Sequence, residues 1–257
     1  MFRRIFNTFR KENYTNTIIS PTARNAKVLC IYAVYNIDDD DMKFINENCD
    51  NCDFVVIDTL ITPYLNSMHL RSMDAEKRLI YIQRPNIGYD VTSWKRYTLE
   101  NYEKLKSYDY VVYANNSCRY DFYIRNLLDD MIKKEATFYG INWVNIRTEH
   151  IQSYFIIVAN SIIKNPGFRN HWVFMGDING REDAITKHEL TFMSDMKKIG
   201  AKIGSLTDQA TIGSGYEVER YNDDLVLVPP FMKKKVIHEG ANRTRYEKLI
   251  SHKKHMV

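Results

Sequence analysis

A short turn before a helix-like stretch, Val91 to Lys106, contains Arg84, Asn86, Gly88 and Asp90. Gly88 lets the backbone approach a ligand closely, and the first N–H groups of a helix can hold a phosphate. Arg84 could reach the same phosphate, and Asp90 could accept a hydrogen bond from a ribose or sugar hydroxyl. Asp90 could instead serve only as a helix N-cap, a position that favours Asp. The turn therefore predicts a phosphate site.

A tip of small polar residues, Asn115, Asn116 and Ser117, follows the predicted strand Tyr108 to Ala114. Such a tip delivers ligands to the edge where parallel strands end, and nucleotides of α/β proteins bind at that edge. The order of turn, helix, strand and polar tip predicts the donor half of a nucleotide-sugar site.

Extended runs alternate with helical patterns from Ala26 onward, which indicates a single Rossmann-like α/β domain with a mostly parallel central sheet flanked by helices. The predicted strands cover residues 28–35, 54–58, 78–83, 108–114, 137–143, 153–160 and 225–228. The predicted helices cover residues 38–48, 91–106, 121–134 and 181–199. Four aspartates, Asp38 to Asp41, could suggest a metal, but acidic residues at a helix start also complement the helix dipole.

The composition is that of a globular protein, since 44% of the 257 residues are hydrophobic and 26% are charged. The net charge of +4 agrees with an anionic ligand such as a nucleotide diphosphate. It falls short of the dense basic stripe of a nucleic-acid binder, so no nucleic-acid partner is predicted.

Three segments are predicted: a basic amphipathic leader over 1–25, the main domain over 26–230, and a basic tail over 231–257. Residues 1–11 place aromatic and aliphatic side chains at helical spacing among basic ones, a pattern that could bind a membrane surface or pack on the domain. No run approaches the roughly 20 apolar residues that span a bilayer, and no signal-peptide core follows the basic start. A cytoplasmic location follows, with possible contact to the cytosolic face of a membrane.

The four cysteines fit reduced thiols better than a disulfide framework in a chain of this size. Cys49 and Cys52 form a C-x-x-C pair, but a zinc site needs further ligands, and a redox pair should open a helix after a strand. We therefore interpret this pair as structural.

Three motifs occur in one order: Asn86-Ile87-Gly88-Tyr89-Asp90, Asn115-Asn116-Ser117 and His150-Ile151-Gln152-Ser153-Tyr154-Phe155. In these motifs the chain resembles the rhamnan synthesis protein F family of glycosyltransferases, from about Ala26 to Thr207. The family pattern is Asn-x-Gly-x-Asp before a helix, an Asn-Asp-Ser tip, a His-x-Gln-Ser-Tyr-Phe segment and a later helical Glu. The resemblance implies a GT-A-like fold and transfer of a sugar, often a deoxyhexose such as rhamnose, onto a surface polysaccharide.

The resemblance also implies roles at the ends of the first two strands. In GT-A-like enzymes these strand ends hold the nucleoside, so Tyr35 would stack on the base beside Asn36, and Asp58 would accept from a base N–H. Each residue could instead only cap the segment that follows its strand.

Asn116 occupies the position where GT-A enzymes usually carry the Asp of a metal motif. An amide is a weaker ligand than a carboxylate for Mn²⁺ or Mg²⁺, so metal use is an open question. Three outcomes are possible: a weak site completed by the donor diphosphate, a metal-independent mechanism using Arg84 or a lysine, or loss of activity. His238 could be a distant further ligand or a plain surface residue.

Glu189 matches the family's helical Glu by its position after the Gln-Ser-Tyr-Phe segment. Its carboxylate could take the acceptor proton in a single displacement, which inverts the anomeric centre. It could also be a solvated glutamate, with Glu182 and Asp183 as competitors for the catalytic role.

The segment that begins at His150 would line the acceptor or donor-sugar side. His150 and Gln152 would offer hydrogen bonds beside Ser153, and Tyr154 would offer a stacking face. A buried histidine satisfied by the backbone is the alternative for His150.

The sequence thus predicts an inverting glycosyltransferase that uses a nucleotide-sugar donor and a glycan or lipid-linked polysaccharide acceptor. The alternative is a catalytically inactive module of this kind that binds glycan or a partner enzyme. A methyltransferase would need a glycine-rich turn after the first strand, and residues 33–36 supply none.

Overall fold

The structure is a computed structural model that describes residues 20–59, 79–146, 148–207 and 231–234. The predictions for residues 1–11, for the strand at 225–228 and for His238 lie outside these ranges, and no described residue tests the three segment boundaries. Among the described residues, no helix is both long and apolar enough to cross a membrane.

Six of the described strands follow the predicted runs closely, and four short ones are additional. Their bounds are β1 Val28–Val34, β2 Asp53–Asp58, β3 Leu79–Gln83, β4 Tyr110–Asn115, β5 Cys118–Tyr120, β6 Phe138–Ile146, β7 Thr148–Ile151, β8 Phe155–Ala159, β9 Ile203–Thr207 and β10 Phe231–Lys233. The additional strands are β5, β7, β9 and β10.

The described helices pack on the sheet formed by these strands. Their bounds are α1 Pro21–Asn25, α2 Asp39–Asn48, α3 Tyr89–Glu100, α4 Tyr102–Leu105, α5 Ile124–Lys133, α6 Asn160–Ile163, α7 Pro166–Phe174, α8 Arg181–Ala184 and α9 Leu190–Lys198, with a π-helical turn, Ile185–Glu189, between the last two.

The main sheet contains eight of these strands in the order β3-β2-β1-β4-β8-β6-β7, with β9 also paired to β6. The first four strands run parallel, β8 is antiparallel to both β4 and β6, and β9 is parallel to β6. The prediction of an α/β domain with a mostly parallel central sheet flanked by helices is confirmed.

The strand register brings the predicted site residues to one edge of the sheet. Val34 pairs with Asp58, and Ala33 pairs with Asn115, so the carboxyl ends of β1, β2 and β4 lie side by side. Ala114 pairs with Phe155, which places the start of β8 at the same edge.

Apolar side chains cover both faces of the sheet, as expected when helices pack on each side. Along β1, Cys30 and Tyr32 belong to the core on one face, whereas Leu29 and Ile31 belong to the core on the other. All seven residues of β1 are buried, which makes this strand the centre of the domain.

Two predicted helices are interrupted in the structure. The stretch 91–106 is divided at Asn101, whose side-chain amide donates to the carbonyl of Tyr97 and ends α3. The stretch 181–199 contains the π-helical turn, although it stops at Gly200 (φ +92°) as predicted.

Several elements have no counterpart in the sequence prediction. The helix α7 starts at Pro166 after Asn165, whose side chain accepts from the N–H of Gly167, so an Asn-Pro start signal was present. The short strands β5, β7 and β10 carry too few residues to show a period.

The cysteines of the C-x-x-C pair are buried free thiols. Burial raises the pKa of the Cys52 thiol to about 12, so it stays protonated and unreactive near neutral pH. Both residues pack in the core beside α2, in agreement with a structural role.

Candidate functional site

The turn before α3 depends on Gly88, which begins the helix with φ +74°. A Cβ at this position would lie 2.0 Å from Oγ1 of Thr92 and 3.0 Å from the carbonyl oxygen of Ile178. The N-cap residue of α3 offers no side-chain cap, and among the first backbone N–H groups that of Val91 donates to Oδ1 of Asp90 at 2.9 Å. Such a helix start can accept an anion at the sheet edge.

Asp90 is not the N-cap of α3, since Gly88 takes that position. Its carboxylate accepts a short hydrogen bond from the side-chain amide of Asn115 and thereby joins the turn to the end of β4. The Asn115 Oδ1 atom accepts from the N–H of Ser117 at 3.1 Å and from its hydroxyl at 2.6 Å. The structure therefore brings Asp90, Asn115 and Ser117 together, as the order of the motifs predicted.

The Asn116 side chain forms hydrogen bonds with the backbone at the end of β1. Its Oδ1 atom accepts from the N–H of Tyr35 at 3.1 Å, and its Nδ2 atom donates to the Tyr35 carbonyl at 3.1 Å. The same Nδ2 donates to Oδ2 of Asp41 at 3.1 Å. Both ends of the amide are thus engaged within the protein, and only an amide can make this set of bonds.

The end of β1 is also shaped for a ligand. The Tyr35 ring is 57% exposed, and Asn36 has the left-handed conformation with φ +62°. The Asp58 carboxylate at the end of β2 is buried and accepts from the Tyr81 hydroxyl at 2.6 Å. Tyr35 is therefore open for stacking, whereas Asp58 already has a protein donor.

Asp41 is the centre of a buried cluster beside this edge. It accepts from the Tyr32 hydroxyl at 2.6 Å, from Asn116, and from the ammonium of Lys234 at 2.7 Å. Asp38 and Asp41 also form a reciprocal capping box at the start of α2, which confirms the interpretation of the aspartate run as a helix start.

Burial and charge act in opposite directions on the two carboxyls of this cluster. Burial raises the pKa of Asp41 despite the nearby Lys234. Burial also tends to raise the pKa of Asp38, but the hydrogen bonds from Lys234 and from the backbone of Asp41 outweigh it and lower that pKa. The sequence prediction missed Lys234, which lies in a run of three lysines with no other signal.

Arg84 does not remain at the phosphate turn, contrary to the prediction. Its guanidinium pairs with Glu100 at 2.5 Å, in the last turn of α3, whereas Asp90 lies in the first turn. The Arg84 side chain is 13% exposed, whereas the side chain of Glu100 is 51% exposed. Asn86 is exposed in the turn itself.

Glu189 and Ser153 form the second half of the site. Glu189 Oε2 accepts from the backbone N–H of Ser153 at 3.1 Å and from its hydroxyl at 2.8 Å. Glu189 Oε1 lies 3.7 Å from Nε2 of His150. The Nδ1 atom of His150 lies 2.8 Å from the Thr148 carbonyl, which requires a proton on Nδ1 and leaves Nε2 facing the carboxylate.

This half adjoins the donor half through the backbone. The residue after Ser153, Tyr154, accepts from the N–H of Asn115 through its carbonyl at 3.1 Å. Glu189 is therefore held at the edge where Asp90, Asn115 and Ser117 meet. The predicted competitors, Glu182 and Asp183, lie in the short helix α8, and Asp183 pairs with Lys187 at 3.0 Å.

Two residues of the segment that was predicted to line the sugar, Gln152 and Tyr154, are buried inside the protein. Gln152 is buried, and its Oε1 atom accepts from the side chain of Asn142 at 2.7 Å. The Tyr154 ring is 2% exposed and belongs to the core, so it presents no open stacking face.

A buried histidine pair supports the π-helical turn that carries Glu189, and the sequence prediction missed it. His171 Nδ1 lies 2.9 Å from Asp195, and His171 Nε2 lies 3.1 Å from Nδ1 of His188. Burial lowers the pKa of both histidines, most strongly that of His188, whose pKa the charge of His171 lowers further. Asp195 raises the pKa of His171, but burial outweighs this effect. Both rings are therefore neutral near pH 7, and the Asp195 carboxylate accepts from Nδ1 of His171.

The described residues do not fit a divalent metal of the kind that the resemblance implies. They contain no group of three or more His, Cys, Asp or Glu side chains placed to hold a metal ion. The Asn116 oxygen, the predicted ligand, is taken by the Tyr35 N–H. His238, the other predicted ligand, lies outside the described residues.

Comparison with known proteins identifies a family. The family described as Rhamnan synthesis protein F matches residues 68–254, which is more than half of the chain. The match begins later than the predicted resemblance, which started at about Ala26, and extends beyond its end at Thr207. No curated protein that was compared matches the chain.

Solved structures show weak likenesses of fold. A mannosyltransferase from Pyrobaculum calidifontis in complex with GDP-Man and Mn²⁺ is 13% identical, with a TM-score of 0.47 over 91% of this chain and 70% of that one. A putative glucose-1-phosphate thymidylyltransferase from Bacillus anthracis in complex with a sucrose is 8% identical, with a TM-score of 0.43 over 72% and 87%. The bifunctional glycosyltransferase WbbM is 13% identical, with a TM-score of 0.41 over 79% of this chain and 49% of that one. Likenesses of this size carry no conclusion about function.

Proposed function

Because the chain belongs to the rhamnan synthesis protein F family, we propose that it transfers a hexose or deoxyhexose, such as rhamnose, from a nucleotide-diphosphate donor to a glycan acceptor. One observation carries the proposal. The Glu189 carboxylate is held by Ser153 at the same sheet edge as the turn and polar tip that would bind the donor. The acceptor would be a growing or lipid-linked polysaccharide.

The donor would lie across the ends of β1, β2 and β4. The exposed Tyr35 residue would stack on the base, and Asp58, which already accepts from the Tyr81 hydroxyl, would lie beside a base N–H. The uncapped start of α3 at Gly88 would bind the diphosphate through backbone N–H groups, and Asp90 would accept from a sugar or ribose hydroxyl. The polar tip would then line the donor sugar.

Glu189 would act as the general base of a single displacement. Ser153 fixes Oε2, so Oε1 remains to take the proton of the acceptor hydroxyl. The acceptor oxygen bonds to the anomeric carbon as the bond from that carbon to the diphosphate oxygen breaks, and the nucleoside diphosphate leaves with the electron pair. Attack opposite to the leaving group inverts the anomeric centre.

Substitution of the base tests this assignment. Glu189→Gln keeps an oxygen for Ser153, so the fold and donor affinity should be retained while transfer falls by about 100-fold or more. Transfer would be measured with rhamnose, glucose and mannose donors on glycan acceptors, beside Glu182→Gln as the matched control on the neighbouring helix. Full transfer by the Glu189→Gln protein would reject Glu189 as the base.

The inactive module stays as the second candidate because the position of the usual metal-binding Asp is held by Asn116, whose amide is fully used. It predicts nucleotide binding without turnover. Binding of a donor, together with no transfer to any acceptor of the panel by the unmodified protein, would favour it over the enzyme.

A further inference from the structure

Three carboxylate oxygens beside the polar tip converge on one cation, the ammonium of Lys234. Both oxygens of Asp38 and Oδ1 of Asp41 each lie 2.7 Å from Lys234 Nζ. Lys234 is 9% exposed, and Asp41 is 1% exposed. Carboxylate oxygens that converge in this way are the ligands that hard cations select, so the cluster is a cation site whose occupant is a side chain.

The same lysine is tied to the donor edge at two further points. Its backbone N–H donates to the carbonyl of Ser117 at 2.9 Å, next to the antiparallel pairing of β10 with β5. Through Asp41 it also supports the Nδ2 contact of Asn116. The cation therefore lies beside the polar tip, which adjoins the proposed diphosphate turn through the hydrogen bond from Asn115 to Asp90.

The charge arithmetic of this edge favours the lysine over a metal. Without a cation, Asp38 and Asp41 would present two negative charges to an anionic diphosphate, which costs binding energy at short range. A lysine ammonium supplies one positive charge and cannot be lost to a chelator. The Asn116 amide is neutral, so this edge carries one negative charge fewer than an edge with Asp at that position and needs less positive charge to balance it.

We propose that Lys234 is a built-in cation that takes the place of a divalent metal at the donor edge, and that nucleoside diphosphates bind to this protein without Mn²⁺ or Mg²⁺. The proposal rests on the proposed donor site for the identity of the ligand. Lys234 is a positioning and charge-compensating residue, since its three ammonium protons are taken by the two aspartates.

The first test measures binding of GDP, UDP and dTDP to the full chain by calorimetry, in EDTA and in millimolar Mn²⁺. For the diphosphate that binds most tightly, the affinity in EDTA and the affinity in Mn²⁺ should agree within about twofold. A gain of tenfold or more with Mn²⁺ would overturn the proposal.

The second test replaces Lys234 with Met, which keeps the length of the stem, beside Lys233→Met as the matched control at the preceding position. Lys234→Met should weaken diphosphate binding by tenfold or more and leave binding of the corresponding nucleoside within about twofold. Asp38→Asn combined with Lys234→Met should restore part of the diphosphate affinity. Equal loss of nucleoside and diphosphate binding would indicate a merely structural lysine and reject the proposal.

A third measurement needs no nucleotide and separates this inference from the proposed function. Titration of Mn²⁺ followed by electron paramagnetic resonance should show a site in the Lys234→Met protein that the Lys233→Met protein lacks, because three oxygens are released. If no diphosphate binds to the unmodified protein, the proposed donor site is wrong. The Mn²⁺ titration still tests the cation site in that case. Equal Mn²⁺ binding by both variants would reject it.

Discussion

Replacing Asn116 with Asp should destabilise the protein, although it would restore the residue that the family pattern carries at this position. The carboxylate could still accept from the Tyr35 N–H, but it would have no donor for the Tyr35 carbonyl or for Asp41, both now 3.1 Å from Nδ2. A lost neutral hydrogen bond costs about 0.5–1.5 kcal/mol and a lost bond to a charged group about 1.5–3 kcal/mol.

Repulsion between the new carboxylate and Asp41 adds to this loss, at most about 4 kcal/mol at a separation of about 4 Å near a protein surface. Lys234 and solvent would screen much of that repulsion, because Asn116 is only partly buried. We expect the free energy of unfolding to fall by about 2–5 kcal/mol in total, because the two lost hydrogen bonds contribute about 2–4.5 kcal/mol and the screened repulsion adds to them.

Urea unfolding at pH 8 measures this change, with Asn86→Asp as a matched control because Asn86 is exposed in the turn. The control should change stability by about 0.5 kcal/mol or less. The cost of Asn116→Asp should shrink at pH 5, since proton uptake by the crowded carboxyl restores a donor. An Asn116→Asp protein as stable as the unmodified one at both pH values would refute the reasoning.

Three further predictions concern other parts of the site. Burial lowers the pKa of His171 and His188, so the unfolded chain takes up protons at a higher pH than the folded protein does. The free energy of unfolding should therefore fall below about pH 6.5 by at most about 1.4 kcal/mol per pH unit for each histidine. Urea unfolding of the His188→Leu protein should show a weaker dependence of this free energy on pH, and an unchanged dependence would contradict the prediction. Gly88→Ala should cost about 1–3 kcal/mol in the same assay because of its positive φ and the contact with Thr92, whereas Gly180→Ala, with open space around it, should cost less. Arg84→Met should leave diphosphate affinity within about twofold, and a tenfold loss by calorimetry would return Arg84 to the phosphate site.

The order of elements along the chain is enough to predict the fold class and the edge of the sheet at which the site lies. Strong β-rich runs and amphipathic helices alternate, and the polar residues that follow β1, β2 and β4 must meet because those strands are parallel and in register. The aspartate run at the start of α2 was also interpretable, since capping depends on residues within one helical turn.

The partners of the polar side chains at that edge depend instead on contacts between distant parts of the chain. Asn116 and Tyr35 are 81 positions apart, and Lys234 lies 193 positions after Asp41, so no local pattern could pair them. The burial of Gln152 and Tyr154 and the turn of Arg84 toward Glu100 likewise depend on neighbours that arrive from distant strands and helices. Motif spacing determines which residues reach the edge, whereas the partners of each side chain determine what it can bind.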